Sequence, residues 1–296
     1  MHSEYDFFGE LHPIVTFIYF AAAMLFAMLG FNPICLTAAL LGALIYFAAV
    51  RGIKAMFLRL LTVIPVFLLT ALINPTFNHR GATVITYFHS GNPLTAESVF
   101  FGFAAGEMLA AVLLWFDCFN KTVTTDKIVY IFGRIVPGGS LLISMTLRFV
   151  PRLSAKFGEI VQAQKSIGND IHSKNIVKRL SSFLGAFSVL VNHMLEGSIR
   201  ISDSMQSRGY GTGRRTGYTI FRFTAYDGIV LSGVLLLALA VSFCFASGFF
   251  TFDYYPVVKN GRQNIFAYLC FALYYTIPFA INIKEEISWR LLRSKV

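Results

Sequence analysis

Six apolar runs limit what this chain can fold into more than any motif it carries. They lie at Ile14–Leu29, Pro33–Val50, Met56–Ile73, Ser98–Phe116, Gly228–Gly248 and Asn264–Ile283, and none holds more than one charged residue. Each approaches the ~20 residues that carry a helix across a bilayer, although the first two are short. In hydrocarbon a single segment must satisfy its own backbone N–H and C=O groups, so runs of this length form helices. Composition agrees, because 14% charged residues is well below the ~25% of soluble domains. The 31 Phe and 13 Tyr suit lipid-facing and interfacial surfaces. The expected fold is an all-α polytopic membrane protein with about six transmembrane helices. The break Gly30-Phe31-Asn32-Pro33 reads as a tight turn that makes a hairpin of the first two.

The net charge of +10 is confined to one place. From Lys127 to Ala225 there are 14 Lys and Arg against 4 Asp and Glu, while the remainder holds 11 of each. Cytoplasmic loops carry the Lys and Arg excess, so Arg51, Lys54, Arg59 and Lys121 should face the cytoplasm. The stretch Lys127–Leu147 is apolar but broken by Arg134 and Pro137-Gly138-Gly139. If it crossed, the basic segment and the tail bearing Lys284, Arg290, Arg293 and Lys295 would both lie outside. If it lies along the interface, every basic cluster is cytoplasmic. The second arrangement is expected, with both termini inside. The N-terminus has no Lys or Arg before its first apolar run, so the basic start of a cleaved signal peptide is missing. Three segments follow: a membrane part with four spans at 1–119, a cytoplasmic part at 120–225, and a pair of spans with a basic tail at 226–296.

The middle segment reads as two long helices. One, Pro151–Ile167, carries Leu153, Phe157, Ile160, Val161 and Ile167 on a single stripe, with Pro151 in its first turn. The other runs about 32 residues, ~48 Å, and Gly209 ends it. Its positions Leu180, Leu184, Phe187, Val191, Met194, Ser198, Ile201 and Met205 step by four and three. Such a 3.5-residue seam predicts lengthwise packing on another helix, naturally the preceding one.

Both helices end alike, in Ser166-Ile167-Gly168 followed by Asn169-Asp170 and in Ser207-Arg208-Gly209. A glycine there lets the chain leave the helix with positive φ. One such end alone is simply a cap, whereas two on paired basic helices point to docking. The glycines of "GYGTGRR" follow a helix C-terminus, the wrong end of the dipole for phosphate, so no P-loop is indicated and ATP is not expected to bind here. Nucleic acid is disfavoured, because the aromatics are not spaced as a stacking platform. Anionic lipid should attract Arg134, Arg148 and Arg152 by ~1 kcal/mol each. Cys35, Cys118, Cys244 and Cys270 fall in or beside apolar runs with no C-x-x-C, which indicates neither a metal site nor a disulfide framework.

The motifs "NPTFNHRG" at Asn74–Gly81, "SMTLRFVPRL" at Ser144–Leu153, "AQKSIG" at Ala163–Gly168 and "SDSMQSRGYG" at Ser202–Gly211, with Arg215-Thr216 beyond, carry a resemblance. The chain resembles the transmembrane T component (EcfT/CbiQ-like) of energy-coupling factor transporters, ABC-type importers of vitamins and transition metals. The resemblance implies two cytoplasmic ABC ATPases, each gripping one helix end, and a small membrane S component that binds the cargo. ATP would be bound by those partners, and this chain would catalyse nothing. On this chain the implied first coupling motif is Gln164, Lys165, Ser166, Ile167 and Gly168. The second is Asp203, Ser207, Arg208, Gly209 and Tyr210. Ile167 stands where the family usually has arginine, which replaces a guanidinium with an apolar knob and suits two different ATPases.

A few residues stand apart. Glu107 is an ionisable group at membrane depth, costing at least ~2.5 kcal/mol unless neutralised or paired, and so is a candidate polar contact. Gly102, Gly106 and Ala110, a turn apart, make a small-residue face suited to a helix of a partner or of this chain. His79 and Arg80 read as a loop-stabilising pair and Trp289 as an interfacial anchor. The competing reading is a membrane-embedded enzyme or self-contained secondary carrier using Glu107 and Asp117; a lone mid-span carboxylate is a poor proton relay.

Overall fold

The computed structural model describes residues 6–87, 93–135, 137–169, 175–213, 221–261 and 263–293. Asp170, Arg215, Thr216 and Lys295, and the side chains of Arg134, Arg290 and Arg293, lie outside that description. The helices in chain order are α1 (Phe7–Glu10), α2 (Pro13–Leu29), α3 (Pro33–Arg51), α4 (Ile53–Phe77), α5 (Ala96–Thr122), α6 (Thr125–Ile135), α7 (Pro137–Ser166), α8 (Ile176–Ser207), α9 (Ala225–Ala246) and α10 (Ile265–Arg293). Two short antiparallel pairs, β1 (Val84–Tyr87) with β2 (Pro93–Thr95) and β3 (Phe252–Asp253) with β4 (Lys259–Asn260), join α4 to α5 and α9 to α10.

Local chemistry sets the helix starts. Pro13 and Pro33 occupy first-turn positions where no amide partner is needed, and the side chains of His12 and Asn32 accept the N–H groups of Ile14 and Ile34. Thr224 and Asp227 form a reciprocal capping box on α9. The α3–α4 corner is a single residue, Gly52, at φ +81°, a conformation that a Cβ would penalise.

The chain folds as two units, residues 1–128 with 221–296, and residues 129–220. The first and third sequence segments therefore fold together. In that unit α3, α4, α5, α9 and α10 are long and apolar enough to cross a bilayer, and α2 is a shorter apolar helix of 17 residues. The protein is a multi-pass membrane protein. Helix α5 packs on α2, α3 and α4, and α10 packs on α3 and α9. The anticipated hairpin is looser than expected: α2 and α3 barely touch, because each finds a larger apolar partner in α5.

The core between these helices is aromatic. Tyr19, Phe20, Tyr46, Trp115, Tyr274 and Tyr275 are all buried. Four of them are satisfied by helix carbonyls: Trp115 Nε1 donates to Ala39 O at 3.0 Å, Tyr275 Oη to Ala23 O at 2.8 Å, and Tyr19 and Tyr274 each donate to the other's carbonyl, at 3.2 and 3.0 Å. Unsatisfied, each such group would cost a few kcal/mol, about 1–3 in proteins. The small-residue face also finds its partner inside the chain. A Cβ on Gly102 would lie 2.8 Å from Ala71 O, and one on Gly106 would lie 2.8 Å from Phe67 O, so both glycines admit the backbone of α4.

The second unit differs from expectation in three respects. Helix α7 starts at Pro137 and runs unbroken to Ser166, so Pro151 sits inside it rather than in its first turn. Proline at Pro151 removes one backbone donor, and the turns on either side carry the helix through. The stretch 140–147 is consequently part of this long helix, which is not among the described helices apolar enough to span. Third, the expected seam on α8 is displaced. The residues buried against α7 are Ala186 and Leu190, with the Phe183 ring 5.8 Å from that of Phe157, one position ahead of the line Leu184, Phe187 and Val191. Leu180, Leu184, Phe187 and Met194 remain exposed, and Val191, Ile201 and Met205 are half-buried. Ala186 explains the shift, since a small side chain brings the helix axes closer than a row of Leu and Phe can. On α7 the stripe Leu153, Phe157, Ile160 and Val161 does form the contact, and Ile167 lies beyond it.

Candidate functional site

The two helix ends share one backbone geometry. At the end of α7, the Gly168 N–H donates to Lys165 O (3.1 Å) and the Asn169 N–H to Gln164 O (3.0 Å). At the end of α8, the Gly209 N–H donates to Gln206 O (2.9 Å) and the Tyr210 N–H to Met205 O (3.0 Å). Gly168 and Gly209 have φ of +89° and +79°. Each is a complete Schellman motif, in which a left-handed glycine lets the last carbonyls close on the amides that follow. Residue by residue, Gln164 matches Met205, Lys165 matches Gln206, Ser166 matches Ser207, Ile167 matches Arg208, and Gly168 matches Gly209. Both serines fold back on their own helix, Ser166 Oγ to Gln162 O (3.1 Å) and Ser207 Oγ to Ser204 O (3.0 Å).

With the serine hydroxyls bonded to their own helices, the distinguishing chemistry falls to the residue before each glycine. Ile167 is 73% exposed, an apolar side chain held at a rigid corner. Arg208 is exposed at the negative end of the α8 dipole, which favours its charge by about 0.3–1 kcal/mol. Lys165, Asp203, Ser207 and Tyr210 are exposed around these corners, and Gln164 is half-buried with its side chain bonded to Asn169 (3.0 Å). Behind the corners, α8 presents a broad apolar sector through Ile176, Leu180, Leu184, Phe187, Leu195 and Ile199. The sequence reading missed this sector because it assigned Leu180, Leu184 and Phe187 to the α7 contact. The available signal was the arc of apolar residues on α8, wider than one neighbouring helix covers.

The remaining candidates separate from this site. Glu107 is half-buried in α5 and makes no hydrogen bond or ion pair among the described residues. It lies near Tyr254, whose hydroxyl is pushed up to about 12 by burial, with the Glu107 charge adding. Asp117 forms an ion pair with Arg59 that joins α5 to α4. Ten residues of helix, about 15 Å, separate Glu107 from Asp117, too far for a shared proton. In the motif at 74–81, a Cβ on Gly81 would lie 2.6 Å from Glu97 Oε2, and Glu97 in turn accepts from Thr83 N (3.1 Å) and Thr83 Oγ1 (2.8 Å). That motif folds a loop.

A family described as "cobalt transport protein" (CbiQ) matches residues 9–219, a range that includes both helix ends. The chain belongs to the CbiQ family. Among CbiQ-like relatives, an energy-coupling factor transporter transmembrane protein EcfT of Lactobacillus helveticus is 38% identical over 99 residues, 33% of this chain and 36% of that protein. The EcfT of Staphylococcus aureus is 25% identical over 190 residues, 60% of this chain and 70% of that protein. That of Bacillus selenitireducens is 31% identical over 103 residues, 34% and 38%. The chain thus spans little more than a third of the length of the first of these relatives.

Proposed function

We propose that this chain is the energy-coupling transmembrane component of an ECF-type importer for a vitamin or a transition metal. Two cytoplasmic ABC ATPases bind and hydrolyse ATP; this subunit binds none and passes their movement on. One ATPase receives the Ile167 corner and the other the Arg208 corner. A membrane S component carries the cargo and rests on the apolar sector of α8, and the bilayer surrounds α2–α5, α9 and α10. The chain is a subunit of the cell membrane with both termini and the unit 129–220 in the cytoplasm.

The observation that carries this reading is the pair of matching Schellman corners, each holding one side chain outward. Their chemistry differs, so the grooves that receive them differ, which favours two different ATPases over two copies of one. Expressed with two ABC ATPases of the same organism, the tagged subunit should recover both in about equal amounts; recovery of neither would refute the reading. Ile167→Glu should lower recovery of one ATPase, because burying an unpaired carboxylate costs several kcal/mol, whereas Ile167→Arg should be tolerated. Orientation is tested by Ser207→Cys. A membrane-impermeant maleimide should label it in inside-out vesicles and leave it unlabelled in intact cells.

A further inference from the structure

The chain passes between its two units twice, and one short stretch, Asp6–His12, holds both crossings inside the membrane unit. The outgoing crossing is the start of α6. Lys127 there is only 7% exposed, and its Nζ donates to Gly9 O and to Thr122 O, the latter at 2.9 Å. The returning crossing is Phe223–Asp227. The His12 N–H donates to Asp227 Oδ1 at 3.0 Å, and the His12 ring meets Phe223 edge-on with centroids 5.2 Å apart.

The stretch is itself pinned. The Asp6 carboxylate accepts from Tyr46 Oη (3.0 Å), Thr122 Oγ1 (2.9 Å) and Asn282 Nδ2 (3.2 Å), on α3, α5 and α10. The Phe8 N–H donates to Asn282 Oδ1 at 2.9 Å, and the Phe8 ring is fully buried, edge-on to Tyr19, Phe20 and Tyr46. Gly9 allows the tight fold, since a Cβ there would lie 2.7 Å from Asp6 Oδ2. Burial pushes the Lys127 ammonium below its usual range, and Asp6 and Glu10 pull it back up. Burying a lysine and a carboxylate is costly unless both are hydrogen-bonded, and a satisfied network of this kind rigidifies the elements it joins.

We propose that Asp6–His12 is a clasp that makes both crossings move as one body with the membrane helices, with Asp6 and Lys127 as its positioning residues. A rod transmits displacement only from a stiff root, and a root free to swivel absorbs it. The clasp rests on the energy-coupling reading above for its purpose, though its geometry is independent of that reading.

Asp6→Ala is the informative variant. Asp6 makes no hydrogen bond to Lys127 or Asp227 among the described residues, and Tyr46 Oη and Thr122 Oγ1 lie 3.1 Å apart, close enough to bond each other once the carboxylate is gone. In the isolated, detergent-solubilised subunit, amide exchange should quicken about tenfold or more at residues 125–128 and at 223–227 together, as expected for loss of a charged hydrogen bond, while α5 stays protected. Asp6→Asn, which keeps one carbonyl oxygen, should do the same more weakly. Lys127→Met should loosen the outgoing crossing alone. Exchange confined to the neighbours of residue 6, or unchanged, overturns the clasp. In the assembled transporter the same variants should retain both ATPases and their hydrolysis while uptake per ATP falls. Unchanged uptake per ATP overturns its role in transmission. Failure of the unmodified subunit to recover ATPases refutes the energy-coupling reading instead, and leaves the exchange result to decide the clasp.

Discussion

Arg208→Glu should strip one ATPase from the subunit and abolish uptake, with the membrane unit intact. Two magnitudes separate these outcomes. Within the chain, Arg208 is exposed beyond the last turn of α8 and makes no ion pair among the described residues. Reversing its charge therefore forfeits only the dipole term, about 0.3–1 kcal/mol, and adds a penalty of similar size. At an interface, a charge that loses its buried partner typically costs about 2–5 kcal/mol, enough to weaken attachment about thirtyfold to several thousandfold. Affinity co-purification and vesicle uptake should both report the loss, and circular dichroism should show the helices retained. Arg208→Lys keeps the charge but loses the planar fork, and should fall between the two. Normal ATPase recovery with Arg208→Glu would mean the α8 corner is not a docking element.

The contrast between the two corners also explains how much of this site could be read from the sequence. Gly168 and Gly209 announce themselves, because a glycine after a long amphipathic run has a specific job in ending a helix. The same holds for the membrane helices, whose starts at Pro13, Pro33 and Thr95 are local chemistry. What stayed hidden depends on choices between faces or on distant partners. The apolar positions of α8 cover too wide an arc to indicate which sector meets α7, and the small Ala186, not the bulky line beside it, made the choice. Pro151 looked like a helix start because proline prefers first turns, but the helix begins at Pro137. The N-terminal clasp leaves no periodicity at all: Asp6 reaches Tyr46, Thr122 and Asn282 across 40, 116 and 276 residues. Only folding brings those groups together.

A different kind of failure is expected for Gly106→Leu and Gly102→Leu, which should remove the folded membrane unit itself. Lipid is as apolar as leucine, so burying side chains drives α4 and α5 together far less than close packing does. Much of α4 faces outward, with Leu58, Leu61, Leu69 and Leu72 all exposed, and its hold on the unit comes chiefly from α5. At Gly106 an added Cβ would meet Phe67 O at 2.8 Å and Phe67 Cδ2 at 3.0 Å; at Gly102 it would meet Ala71 O at 2.8 Å. Two of these atoms are backbone carbonyls, which cannot rotate aside, so the helices must separate along the whole contact. Overpacking costs about 1–3 kcal/mol where side chains can yield, and a backbone obstruction repeated over two turns should exceed that. Residues a turn further on, Val63 and Ala110, are buried in the same core and would lose contact as well. Detergent-solubilised yield and thermal aggregation should show both variants largely misfolded. Gly185 offers the control, since nothing lies within 4 Å of its added Cβ, and Gly185→Ala in mid-helix should stabilise by about 0.5–1 kcal/mol. If Gly106→Leu were recovered as well as Gly185→Ala, the α4–α5 contact would not be the close backbone approach on which the membrane unit depends.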